Sequence, residues 1–106
     1  MISAIVLRVL PQFFDRHQAG ATTTYTVRNI DQTVLANATG GAFTVTLATA
    51  VGRTGIRHTI KKTDASANAV TVGTTSSQTI DGATTYPLAT QYKRVTVESD
   101  GSNWQI

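Results

Sequence analysis

An all-β fold is predicted by three observations on this sequence. β-branched residues dominate: threonine alone makes up about a fifth of the 106 residues, and such side chains suit a pleated, half-buried surface. Short runs alternate apolar and polar residues with a period of two, Phe43-Thr-Val-Thr-Leu47 most cleanly. Turn residues recur at roughly ten-residue intervals, the spacing of a sandwich, barrel or meander. The alanines sit beside Thr, Gly and Asn rather than in a helical period. The expected architecture is a compact antiparallel sandwich or barrel of about seven to eight short strands with an extended N-terminal arm. Residues 1–24 would form the arm and a linker, and residues 25–106 one β-domain.

Residues 1–14 are the most apolar segment and end at Pro11-Gln-Phe-Phe14. Extended, the segment is apolar on both faces and must be covered twice, as a central core strand or as an arm clamped against a neighbouring subunit. Ile2, Ile5, Leu7, Leu10, Phe13 and Phe14 are the candidate contacts on a partner, with Arg8 and Arg16 as further surface contacts. Arg8 interrupts the run, no basic start precedes it, and ten residues fall short of the roughly 20 of a membrane helix, so neither a signal peptide nor a span is expected. Asp15 to Thr24 is polar, holds Gly20 and reads as the linker.

Tyr25 to Ile30 reads as a short strand ended by Asp31 and Gln32, with Val34-Leu35 next and a turn at Asn37 to Gly41. Phe43, Val45 and Leu47 face inward with Thr44 and Thr46 outward. Ile56, His58 and Ile60 share one face and Arg57, Thr59 and Lys61 the other; a loop of about five residues would join this strand to Val70-Thr-Val72 as a hairpin. After a polar turn at Gly73 to Ser77, Gln78-Thr-Ile80 leads to Asp81-Gly82. Pro87 confines Tyr86-Pro-Leu88 to a sheet edge or strand start, because proline has no N–H for the ladder. Val95 and Val97 alternate with Arg94, Thr96 and Glu98, and Asp100 to Asn103 reverses the chain into Trp104-Gln-Ile106. Both Asp-Gly pairs place residues that tolerate positive φ where a strand turns back.

The chemistry-bearing residues are few. Apolar residues make up 41% and charged residues 14%, below the roughly 25% charged of ordinary globular domains. The net charge of +3 is scattered and not concentrated as in a nucleic-acid binder, so no nucleic-acid partner is expected. Without cysteine there is no disulfide framework and no thiolate metal site. His17 and His58 lack partners at metal spacing; His17 reads as a solvated residue and His58 as a core or interface histidine. The acids Asp15, Asp31, Asp64, Asp81, Asp100 and Glu98 mostly occupy turns, where a carboxylate bonds the backbone two residues on. No nucleophile elbow or phosphate loop is present, so no enzyme, cofactor or metal is expected. Tyr92-Lys-Arg94 is the one basic–aromatic run, read as a snorkelling basic pair beside an interfacial tyrosine. Asn37-Ala-Thr39 fits a glycosylation sequon but reads as a turn.

Ile60-Lys-Lys-Thr-Asp64 through Val72, then Thr79-Ile-Asp-Gly82, Tyr86, Leu88, Tyr92, Val95-Thr-Val97 and Ser99-Asp-Gly-Ser-Asn-Trp104 occur in an ordered series. Over about Val34 to Ile106 this series resembles the small Thr-rich β-domain of tailed-bacteriophage virion proteins, found in tail fibres, spikes, head fibres and head decoration proteins. The resemblance implies a structural or binding module, commonly a homotrimer, without enzymatic activity. With only an apolar arm ahead of the module, the expected use is a capsid decoration or cement protein on the virion surface. Its trimers would stabilise the shell, the arm reaching the major capsid protein or a neighbouring copy. The other use the resemblance allows is a receptor-binding tip or tail accessory protein, in which Tyr86 and Tyr92 would face a host surface glycan.

Overall fold

A computed structural model of the chain describes residues 17–106, which hold nine strands and no helix. The strands are β1 (His17–Ala21), β2 (Tyr25–Thr26), β3 (Asp31–Ala36), β4 (Phe43–Thr46), β5 (Arg57–Lys62), β6 (Val70–Gly73), β7 (Thr85–Leu88), β8 (Arg94–Ser99) and β9 (Trp104–Gln105). They make two sheets, one ordered β1-β3-β5-β8-β9 and the other β2-β4-β6-β7. From β1 to β6 the chain crosses to the opposite sheet after every strand. Each strand therefore lies beside the one two elements earlier and runs in the same direction, so β1, β3 and β5 pair in parallel, as do β2, β4 and β6. The intervening strand of the other sheet supplies the long crossover that parallel neighbours require. At β7 the winding stops: β7 returns antiparallel beside β6, β8 beside β5, and β9 folds back on β8.

Register explains why these residues are strands. Across one sheet Ala19, Val34, Ile60 and Val95 stand opposite one another, and all four are buried. Across the other, Val45 and Val72 are flanked by Tyr25 and Tyr86, while Phe43, Val70 and Leu88 form the next row. Leu47, Val27, Ile80 and Trp104 complete the core between the sheets. Each fully buried aliphatic contributes about 1.5–3 kcal/mol of transfer free energy, so the period-two pattern is what selects the inward faces. The outward faces are threonine-rich. Thr33, Thr59 and Thr96 align across one sheet, Thr44 and Thr71 across the other, and the Thr59 and Thr96 hydroxyls lie 2.8 Å apart.

The all-β class, the inward placing of Val45, Leu47, His58 and Ile60, and the edge position of Pro87 on β7 agree with the sequence. The pairing does not follow the antiparallel expectation: four of the seven pairings are parallel and the sheets are mixed. β5 and β6 sit in different sheets and are no hairpin. Apolar alternation selects the face a side chain takes, not the direction of the neighbouring strand. The polar stretch read as a linker supplies β1, paired along its length with β3. Asp31 opens β3 instead of ending a strand; its amide donates to the Arg28 carbonyl at 3.0 Å across a tight turn. The apolar arm of residues 1–14 lies outside the described residues.

Candidate functional site

The buried ionisable side chains are held by other side chains and backbone groups of the chain itself. Lys62 continues the inward face of His58 and Ile60, and its side chain is fully buried. Its ammonium donates to Asp64 at 2.7 Å. The other Asp64 oxygen accepts the Ala38 amide at 2.7 Å, and the Ser66 amide adds a bond at 3.1 Å. Burial opposes the Asp64 charge, but the donors from Lys62, Ser66 and Ala38 outweigh it and hold the carboxyl far below its usual range. The pair thus ties the loop after β5 to the loop after β3.

A second cluster joins the start of the coil to its middle. Asp31 is fully buried and accepts the Tyr25 hydroxyl at 2.5 Å, the Arg28 amide at 2.9 Å and the Arg28 guanidinium at 2.8 Å. Burial again works against its charge, and the Arg28 and Tyr25 bonds hold its pKa below the ordinary value. His58, on β5, bonds the Asp31 backbone carbonyl through Nδ1 and tilts its ring against Trp104, with centroids 5.5 Å apart. Burial pushes its pKa down and outweighs the bond to Asp31, so the imidazole is neutral at pH 7. The Asp31 carboxylate therefore faces Arg28 and Tyr25, while the imidazole bonds a carbonyl; this is not the base-and-orienter geometry of an activated nucleophile. Among the described residues no three His, Asp or Glu side chains gather as metal ligands.

Two of the motifs that carry the resemblance meet around Trp104. Trp104 donates its amide to the Thr79 carbonyl at 2.8 Å, and Asp81 donates to the Trp104 carbonyl at 3.1 Å. The Thr79 amide reaches the Asn103 side chain at 3.0 Å, and the Ile106 amide reaches the Asp81 carboxylate at 3.0 Å. Asp81, Gly82 and Gly101 all have positive φ. Thr79-Ile-Asp-Gly82 and Asp100-Gly-Ser-Asn-Trp104 are thus one interlocked closure over the buried indole. The chain matches no protein-family model and no curated protein.

What is left for partners lies on the surface. Tyr92 is 64% exposed and has φ 67°, with the Lys61 ammonium 5.3 Å from its ring centroid. Lys93 and Arg94 are exposed beside it, and Lys61 stands opposite Arg94 in the β5–β8 ladder. Like charges directly opposite repel, so this corner is a basic–aromatic patch. Tyr86 is half-buried at the rim of the core and lines an open groove of about 440 Å³ with Arg57, Arg94, Val95, Thr96, Glu98, Gln105 and Ile106, which shares Arg94 with that patch but does not include Tyr92. The two tyrosines are therefore not brought into one site. Ile2, Ile5, Leu7, Arg8, Leu10, Phe13, Phe14 and Arg16 lie outside the described residues. Reasoning from sequence did not foresee the buried Lys62–Asp64 pair; the available signal was a lysine at inward parity with a turn aspartate two residues on. It also overlooked Gln78, whose buried amide accepts from the Ala50 amide at 2.8 Å and donates to Thr49 at 2.7 Å.

Proposed function

We propose that this chain is a non-enzymatic virion module, a bacteriophage capsid decoration or cement protein that docks on the outer capsid as a trimer. The observation that carries the reading is the use to which the chain puts its polar groups. Two of the motifs behind the phage-module resemblance, Thr79 to Gly82 and Asp100 to Trp104, close the fold on itself, and Asp31, His58, Lys62 and Asp64 are engaged by its own loops and side chains. The two outer faces are threonine-rich, with Thr33, Thr59 and Thr96 aligned on one and Thr44 and Thr71 on the other, and suit contact spread over area. The apolar arm, with Ile2, Ile5, Leu7, Leu10, Phe13 and Phe14, supplies the surface whose burial against the major capsid protein or a neighbouring copy stabilises the shell. The test is sedimentation of the purified protein with expanded heads of the phage that encodes it. The intact chain is expected to co-sediment at saturating occupancy, and a chain lacking Met1 to Phe14 to stay in the supernatant while keeping its β circular dichroism. Full occupancy by the shortened chain refutes the role of the arm.

The basic–aromatic corner favours one second reading, a receptor-binding or tail accessory module for an anionic host glycan. An exposed ring flanked by cations can stack on a sugar and hold its carboxylate. Binding to host glycans that Tyr92→Ala abolishes, with no affinity for heads, supports this reading over the first.

A further inference from the structure

Of the four strands that end a sheet among the described residues, three are blunted. β2 and β9 are two residues long, and β7 carries Pro87. β1 differs: its five residues, His17-Gln-Ala-Gly-Ala21, include no Lys, Arg, Asp, Glu or Pro. Its register shift lies at His17/Gln18, leaving Gln18 to Ala21 in regular pairing with β3. The Ala21 carbonyl accepts the Asn37 amide at 2.8 Å on the β3 side. Backbone groups alternate in direction along a strand, so Ala19 also faces β3, whereas the N–H and C=O of Gln18 and Gly20 point to the side where no described strand lies.

Gly20 adds an independent observation. It has no positive φ, and a Cβ built on it meets nothing within 4 Å, whereas one on Gly101 lies 2.7 Å from the Thr54 hydroxyl. Nothing among the described residues requires glycine at this position, yet glycine weakens a strand interior, and where it stands there it often marks the close approach of another backbone. The chain upstream supplies a matching element. Ile2 to Leu10 is long enough to run the whole length of β1 and is apolar on both faces. Folded back on its own β1, it would leave one apolar face to water, since Leu35 is the one apolar strand residue of the outer face near β1, beside Gln18, Gly20 and Thr33.

We propose that the free edge of β1 receives the Ile2–Leu10 segment of a second copy of this chain, added to the sheet as a further strand. The inference rests on reading the chain as a self-associating docking module. Its test uses the isolated full-length protein without capsids, so failure of capsid binding and failure of strand exchange are separate results. The measurements are sedimentation and amide hydrogen exchange on the intact chain, on Gly20→Pro, which removes an outward N–H and no β1–β3 bond, and on Ile5→Lys, which alters the donated segment alone. The intact chain is expected to self-associate, with the Gln18 and Gly20 amides slowed by about a hundredfold relative to an open edge. Both variants are expected to sediment as monomers, and Ile5→Lys to restore fast exchange at Gln18 and Gly20 while Ala19 and Ala21 stay protected. Fast exchange at Gln18 and Gly20 in the intact chain, a monomer in which they are protected, or an oligomer that survives both substitutions each overturns the proposal.

Discussion

Replacing Trp104 by alanine tests whether the interlocked closure, and not the sheets alone, holds the fold. The indole is fully buried and lies under the Ile80–Trp104 bridge and against His58. Burying an indole removes about 150–250 Å² from water, which at about 25 cal/mol per Å² amounts to roughly 4–6 kcal/mol. Partial collapse around the void brings typical truncations to about 3–5 kcal/mol, and we expect about 4 here. That is a large share of the roughly 5–15 kcal/mol of a domain of this size. With a urea m-value near 1.5 kcal/mol/M, the midpoint should fall by about 2.5–3 M, and Tm by at least about 15 °C. The assay is far-UV circular dichroism, because Trp104 is the chain's single tryptophan and its removal abolishes indole fluorescence. Trp104→Phe is the informative partner. It keeps most of the ring and removes an indole N–H that finds no acceptor among the described residues, a group whose burial costs about 1–3 kcal/mol. Its net loss should stay under about 1.5 kcal/mol. A Trp104→Ala loss below about 1 kcal/mol, or a Phe variant as unstable as the Ala variant, would refute the closure argument.

Acid should unfold the protein in two steps. The unfolded chain takes up a proton near the ordinary imidazole value of about 6.5, which the buried His58 resists because its folded pKa is lowered. Stability is therefore full above that pH and declines below it. Asp31 and Asp64, also lowered in the fold, add a second loss below about pH 4. Urea midpoints measured from pH 8 to pH 3 check this, and His58→Gln should remove the first step and leave the second; a profile flat from pH 8 to pH 5 contradicts it. Gly101→Ala should cost more than about 1 kcal/mol, since Gly101 has φ 99° and the new Cβ meets the Thr54 hydroxyl at 2.7 Å; equal thermal stability of the two proteins is the adverse result. Tyr92→Gly should stabilise by up to about 1 kcal/mol by relieving a left-handed backbone at φ 67°, offset by roughly 0.5 kcal/mol for the lost Lys61 contact. A lowered midpoint would mean that the ring, and not the turn, is what matters there.

By itself the sequence determined the strand and inward face of Phe43 to Leu47 and of His58 to Ile60, the tight reversals at Asp81-Gly82 and Gly101, and the edge position of Pro87, while it read β1 as linker and Asp31 as a strand end. Each feature it determined is a local property. The alternation of Phe43 to Leu47 selects a face through burial, Asp81-Gly82 and Gly101 supply the positive φ of tight reversals, and the missing N–H of Pro87 forces β7 to an edge. Partner choice is not local, and that is what only the tertiary structure decided. A period-two strand pairs equally well in either direction, so the parallel winding of β1 to β6 follows from the chain's crossing between sheets at each step, which no single segment encodes. For the same reason the burial of Lys62 is decided only where the loops after β3 and β5 meet and give its ammonium Asp64 as a buried partner. The candidate site divides along this line. The apolar segment Ile2 to Leu10 is legible as a segment that must be covered twice, while the open edge of β1 beside Gly20 exists only because β3 bonds one side of that strand and no described strand bonds the other.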